Sequence, residues 1–243
     1  MDTVKLSAAR KPLMVAHRGC CSLETENTAP AFVAAGNRSY FGIECDLQKT
    51  ADGKLIICHN PDTAYIAGDK LVIAETSFDT LRALKLFNLP QAGKVKNRAD
   101  LQMPTLSEYI SICKHYEKVA VLEIKYDATE AEILEICRVI ESFDYMDHVT
   151  FIAGNVQNLL YVRKHYPDQP AQVVAWKLTD ELLDTLTAHR LDLDVCYKDL
   201  TKEQIELLHT KGLKVNCWTV NDVETAERLI AWGIDMITSN ILE

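Results

Sequence analysis

The sequence predicts an α/β chain closed into a (β/α)8 (TIM) barrel with a small insertion after the second strand. Three observations carry that prediction. From Thr105 onward, amphipathic stretches alternate six times with short runs rich in branched residues. Such alternation demands parallel strands joined by crossover helices. Two further strand-like runs lie nearer the N-terminus, which makes eight, the number that closes a barrel of this type. The length of 243 residues suits one such barrel, typically about 250 residues. The competing topology, an open dinucleotide-binding sheet, would need a G-x-G-x-x-G turn after a strand, and none is present.

The elements follow in order. The first strand covers 13–16 and delivers His17, Arg18 and Gly19. Glu26-Asn27-Thr28-Ala29-Pro30 then opens a helix, with Asn27 or Thr28 as cap and proline in the tolerant first turn. A second strand over 40–45 delivers Glu44 and Asp46. A turn at Thr50-Ala51-Asp52-Gly53 leads into a strand-like run, 54–58, which ends at His59 and can form a hairpin-like extension. Residues 60–104 break the rhythm with Pro61, Gly68, Pro90, Gly93 and Pro104, and one short helix is expected from Ser77. This stretch reads as the insertion, within a single domain over 1–243. Helices are then expected over 106–116, 129–143, 156–165, 180–189, 202–211 and 223–232. The intervening strands are 119–125, 149–153, 172–176, 193–197, 214–218 and 236–239. The chain stops at Glu243, with no eighth helix after the last strand.

Composition narrows the function. An apolar content of 48% supplies a large core, and a formal net charge of −9 argues against a nucleic-acid surface. An anionic small molecule stays admissible, because Arg18 and Lys125 supply local positive charge. The eight cysteines form no C-x-x-C or zinc spacing. No apolar run approaches the roughly 20 residues that span a bilayer. Together with an N-terminus that lacks a secretory apolar segment, this gives the expectation of a reducing, cytoplasmic setting without membrane insertion. Oligomeric state is not legible.

The chemistry concentrates between Val15 and His59. Side chains at i and i+2 share one face of a strand, so Glu44 and Asp46 aim together while Cys45 aims oppositely. Two like charges on one face repel unless a cation lies between them, and oxygen ligands suit a hard divalent ion such as Mg2+ or Ca2+. A solvated strand end is the plainer alternative for such a pair. In a barrel the working groups lie at the C-terminal ends of strands. That rule adds Glu123 and Lys125 on one face of the 119–125 strand. His17 and His59 are the acid–base candidates, since imidazole titrates near neutrality. Arg18 has the planar fork that suits phosphate.

The ordered set HRG at 17–19, ENT at 26–28, the E-x-D pair, the T-x-D-G turn and a second histidine resembles the glycerophosphodiester phosphodiesterase family. E-x-K at Glu123–Lys125 and W-T-V-N from Trp218 extend the likeness. The resemblance implies one divalent cation on Glu44, Asp46 and Glu123. It implies phosphate on Arg18 and Lys125, with Trp218 against glycerol carbons. His17 would take a proton from the attacking oxygen and His59 would give one to the leaving alcohol. In that family the attacker is thought to be the substrate's own 2-hydroxyl, giving a cyclic phosphate that water opens. Glu26 and Asn27 would orient the groups that touch metal and substrate. The family's insertion lies over the barrel mouth, where selectivity for the alcohol would be set. The implied products are glycerol 3-phosphate and an alcohol.

Four positions depart from the family pattern. Thr25 stands for proline, Asn60 for an acid, Gly154-Asn155 for serine-phenylalanine, and Ser239 for aspartate. Two other functions stay open. A related barrel phospholipase on intact lipid would want a basic or amphipathic membrane-facing stretch, which is lacking. A non-catalytic phosphodiester-binding module would normally have lost a histidine or a ligand. His115, His148, His165, His189 and His209 are expected on the surface or at helix ends.

Overall fold

A computed structural model describes residues 2–7, 12–89 and 93–243. Pro90 and part of the stretch before the first strand lie outside the described residues. Strands β1 (Leu13–Ala16), β2 (Gly42–Lys49), β4 (Val119–Ile124), β5 (Val149–Ala153), β6 (Ala171–Ala175), β7 (Asp192–Cys196), β8 (Val215–Trp218) and β9 (Met236–Ser239) run parallel. Pairing of β1 with both β9 and β2 closes them into an eight-stranded barrel. Strand β3 (Leu55–Ile57) folds back antiparallel on the end of β2, as the hairpin-like extension requires.

The main difference from the expected elements is the length of β2. It runs four residues past Cys45, because the hairpin with β3 continues its ladder beyond the barrel rim. Glu44 and Asp46 therefore sit inside the strand, across from Val121 and Glu123 of β4.

Helices α1 (Ala29–Gly36), α4 (Leu106–His115), α5 (Glu130–Glu141), α6 (Val156–His165), α7 (Asp180–His189), α8 (Lys202–Thr210) and α9 (Val223–Ala231) form the outer layer. Their starts are written locally. Thr28 caps α1 with its side chain, and Thr105, Thr129 and Thr201 form reciprocal capping boxes with Glu108, Glu132 and Gln204. The apolar core lies mostly between these helices and the outward faces of the strands, where Ala16, Cys45, Leu122, Phe151, Leu193 and Cys217 are buried. Inside the barrel lies a small apolar cluster of Val15, Val121 and Ile152. Among the described residues no helix follows β9. Residues near Val4 pair with the last residues instead, through Val4 N–H to Ile241 O and Leu6 N–H to Glu243 O.

The described residues of the insertion hold two short α-helices, α2 (Ala64–Ala67) and α3 (Phe78–Arg82), one more than expected, and a 3-10 turn at Ile73–Glu75. It also gathers its own apolar cluster of Ile66, Ile73, Leu81, Leu86, Leu101 and Met103 around Ile56 and Cys58 of the hairpin. The hairpin's second face thus belongs to the insertion. All eight cysteines are free thiols, and seven are buried. No helix among the described residues is long and apolar enough to cross a membrane.

Candidate active site

The site is built where β1, β2 and β4 meet at the C-terminal end of the barrel. Glu44 and Asp46 are 3% and 1% exposed, and Glu123 completes a trio. Each of the three offers an oxygen within 4.8 Å of the others. Glu44 Oε1 and Asp46 Oδ1 are buried with no hydrogen-bond partner. Buried polar atoms are almost always satisfied, so this pair of orphans needs an account. Burial, with Asp46 and Glu123 close by, pushes the Glu44 carboxyl well above the ordinary glutamate value. Burial and Asp46 also raise Glu123. Burial opposes ionisation of Asp46 as well, but Arg18, His59, Lys125 and the Asn27 amide together hold it below the usual range. A hard divalent cation would satisfy both orphan oxygens and the crowding at once, and an all-oxygen set is what such ions take.

The backbone around the trio is shaped for it. Arg18 adopts φ +53° and Asn27 φ +53°, unusual for residues with side chains. That conformation turns Arg18 N–H onto Glu44 Oε2 at 2.7 Å. Asn27 Nδ2 donates to Asp46 Oδ2 at 2.7 Å, and Asp46 N–H donates back to Asn27 Oδ1 at 3.3 Å. Gly19 follows at φ +78°, and a Cβ there would lie 2.7 Å from the Ala31 carbonyl carbon. Only glycine lets β1 turn so closely under α1. Glu26 Oε1 accepts from Arg18 Nη1 at 2.8 Å and so fixes the guanidinium. Lys125 Nζ lies 3.0 Å from Glu123 Oε1 and 3.6 Å from Asp46 Oδ1.

The two histidines are held in matching ways. His17 Nδ1 lies 2.7 Å from Asn240 Oδ1, and His59 Nδ1 lies 2.7 Å from Asn60 Oδ1. Each amide oxygen accepts from Nδ1–H, which leaves Nε2 of each ring as the free nitrogen. Burial and the Arg18 charge lower His17 to about 4, so its ring is neutral at pH 7. Burial also lowers His59, against the pull of Asp46.

A cavity of about 480 Å³ opens beside these groups. His17, Arg18, Glu44, His59, Glu123, Lys125 and Trp218 line it; Asp46, Glu26 and Asn27 stand behind that lining. The Trp218 indole N–H donates to Asp194 O at 3.2 Å, and its ring meets Trp176 edge-on at 5.0 Å. No described residue of the insertion lines the cavity. The insertion packs on the hairpin and reaches the site loop at Glu24 and Thr25, while strand ends, among them Gly154, Ala175, Trp176 and Thr219, line the cavity. The remaining five histidines are exposed.

Five contributors were not singled out from sequence for these places. Asn60 registered only as a departure, yet it anchors His59. Asn240 anchors His17 from 223 residues away, which no local signal encodes. Trp176 and Asp194 were members of expected strands, and alternation alone would have turned Asp194 inward between the outward Leu193 and Val195. Thr25, another departure, ties the site loop to the insertion through Phe87 O at 2.7 Å.

A parallel barrel with a three-acid cluster, two tethered imidazoles, an arginine and a lysine at its C-terminal mouth defines a class of barrel equipped for phosphoryl chemistry. The chain belongs to the glycerophosphoryl diester phosphodiesterase family, whose pattern matches residues 17–242. It is 25% identical to a glycerophosphodiester phosphodiesterase of Caldanaerobacter subterraneus, over 95% of this chain and 94% of that one. It is likewise 25% identical to a glycerophosphodiester phosphodiesterase of Bacillus subtilis, over 94% and 83%. Among solved structures, an Oleispira antarctica phosphodiesterase in complex with the product sn-glycerol-3-phosphate superposes with a TM-score of 0.81 at 20% identity, covering 95% of this chain and 94% of that one. A glycerophosphodiester phosphodiesterase from Parabacteroides distasonis gives 0.77 at 22% identity, covering 99% and 94%.

Proposed function

We propose that this protein hydrolyses glycerophosphodiesters to glycerol 3-phosphate and an alcohol, with one divalent cation, Mg2+ or Ca2+, held by Glu44, Asp46 and Glu123. The observation that carries the reading is the pairing of orphaned, crowded carboxylate oxygens with two imidazoles whose Nε2 atoms are free beside one cavity. A bound cation supplies Lewis-acid charge for the diester oxygens.

The chain's own residues do the rest. Arg18 and Lys125 bind the diester and balance its charge, with Glu26 holding the guanidinium in place. His17, neutral and deeply buried, takes the proton of the attacking oxygen at Nε2 as the new P–O bond forms. His59 acts in its protonated form, which Asp46 favours against the larger opposing effect of burial, and gives its Nε2 proton to the departing oxygen as the old P–O bond breaks. The proton held by His17 and the one lost by His59 balance over the turnover. The net change is addition of one water across the diester. Trp218 packs on the glycerol carbons. The substrate is a small molecule, and neither nucleic acid nor lipid bilayer is required.

The test is release of glycerol phosphate from glycerophosphocholine or glycerophosphoethanolamine, with and without EDTA. Turnover that stops on chelation and returns with Mg2+ or Ca2+ is expected. Full activity after chelation, or equal turnover in His17→Ala, overturns the reading.

A further inference from the structure

The polar groups on the far side of the lumen satisfy one another, with one exception. Asn216 Nδ2 donates to Thr238 Oγ1 at 3.0 Å and to Gln172 Oε1 at 3.4 Å, and Thr238 Oγ1 donates back to Asn216 Oδ1 at 3.2 Å. Asp194 of β7 stands directly across from Asn216 in the ladder, yet its carboxyl joins none of these bonds. It is 3% exposed, its Oδ1 is buried with no partner, and its side chain lines the cavity. No cation among the described residues pairs with it, in contrast to Asp46, which has Arg18 and Lys125 beside it.

A buried carboxyl left alone costs about 1–3 kcal/mol or more relative to a bonded one. Such a group persists where a ligand supplies the missing bond. We propose that Asp194 is a specificity-determining residue that hydrogen-bonds a hydroxyl of the substrate's glycerol moiety. The proposal rests on the reading of the chain as a glycerophosphodiesterase and deepens it.

The shape of the cavity favours glycerol over the leaving alcohol. Asp194 and Thr238 are the withdrawn polar groups of the lining on this side, each 3% exposed, and of the two only Asp194 lacks a partner, whereas Trp176 is 75% exposed. A small polyol of fixed size suits the buried carboxyl, and alcohols of varied size suit the exposed ring. Burial, with Glu123 in the vicinity, raises the Asp194 carboxyl well above the ordinary range. A neutral carboxyl both donates and accepts, as a hydroxyl does, and it does not repel an anionic diester. The Trp218 N–H bond to the Asp194 carbonyl couples this group to the ring proposed against the glycerol carbons.

The experiment is calorimetric binding of glycerol 3-phosphate and of propyl phosphate, which keeps the chain and phosphate but has no hydroxyl, with Mg2+ present. Wild type is compared with Asp194→Asn, which keeps the hydrogen-bonding shape, and Asp194→Leu. The preference for glycerol 3-phosphate is expected to fall about tenfold in Asp194→Leu and to survive in Asp194→Asn, as expected for one lost hydrogen bond. Asp194→Ala is read the same way if the leucine variant does not fold. An unchanged preference overturns the proposal, and so does an equal loss for both ligands, which marks a purely structural role. Failure of wild type to bind either phosphate overturns the underlying reading instead, and the proposal with it.

Discussion

The two halves of the barrel lumen solve the burial of polar groups in opposite ways. On the β1–β2–β4 side the groups are charged, and two carboxylate oxygens are left without partners. On the β6–β8–β9 side Gln172, Asn216 and Thr238 are neutral and bond one another, and only Asp194 stands apart. Val15, Val121 and Ile152 also lie in this lumen. A closed network adds to stability, and an open cluster of like charges subtracts from it. The charged half is therefore kept for what it binds, and the neutral network of Gln172, Asn216 and Thr238 for holding the barrel together.

The largest test of that division is loss of the imidazoles. His17→Ala and His59→Ala should each lower kcat about 10²–10⁴-fold in a glycerol phosphate release assay. Unfolding by urea should change far less than activity does. If stability collapses along with turnover, the charged half is also structural and the comparison breaks.

Next comes the cation. Mg2+ or Ca2+ at about 100 times its Kd should stabilise wild type by about 2.7 kcal/mol, read as a rise in Tm, and Glu44→Gln should show no such rise. Without metal the order reverses with pH. The folded Glu44 carboxyl lies well above its ordinary value near 4.5. Its contribution is fully present below about 4.5 and is lost as pH rises through the folded value, at about 1.4 kcal/mol per unit of elevation. Asp46 behaves oppositely, losing stability as pH falls, but it is common to both proteins. In EDTA, Glu44→Gln should thus gain on wild type as pH climbs above 4.5. A constant gap across that range would contradict the crowding argument.

The same contrast explains what was legible in the sequence. The charged half comes largely from one stretch, His17 to His59, where strand, turn and strand follow within 43 residues. Alternation placed Glu44 with Asp46 and Glu123 with Lys125 without knowledge of the fold. The eight strands and the starts of the main helices were legible too, because period and capping residues are local. The neutral half draws Gln172, Asn216 and Thr238 from strands far apart in sequence, and each looked like an ordinary strand residue. The His17–Asn240 bond spans the barrel closure, so it exists only once β9 meets β1. The extra length of β2 depended on the hairpin ladder, a tertiary effect.

Removing the amide tethers sharpens the point. Asn60→Ala and Asn240→Ala should each reduce kcat about 10–100-fold while sparing the cation-induced rise in Tm, since they orient rings rather than carboxylates. A pH–rate profile separates the two variants: the one that frees His17 should move the limb reporting the base, and the one that frees His59 the limb reporting the acid. Matching shifts from both would show that the rings do not act separately.

The smallest expected effect lies in the neutral half. Thr238→Val keeps shape and removes one hydroxyl, which breaks two bonds with Asn216 at 3.0 and 3.2 Å. Net loss of such a bond costs about 1 kcal/mol, measurable as a lower urea midpoint at unchanged slope. Thr238 stands across the ladder from Val15, whose chain continues to His17. If the halves are energetically separate, the cation-induced rise in Tm should stay within error of wild type, because no Thr238 atom bonds to an acid of the trio. A reduced rise would mean that the neutral network positions the carboxylates through β1. The division would then be one of charge only, and not of function.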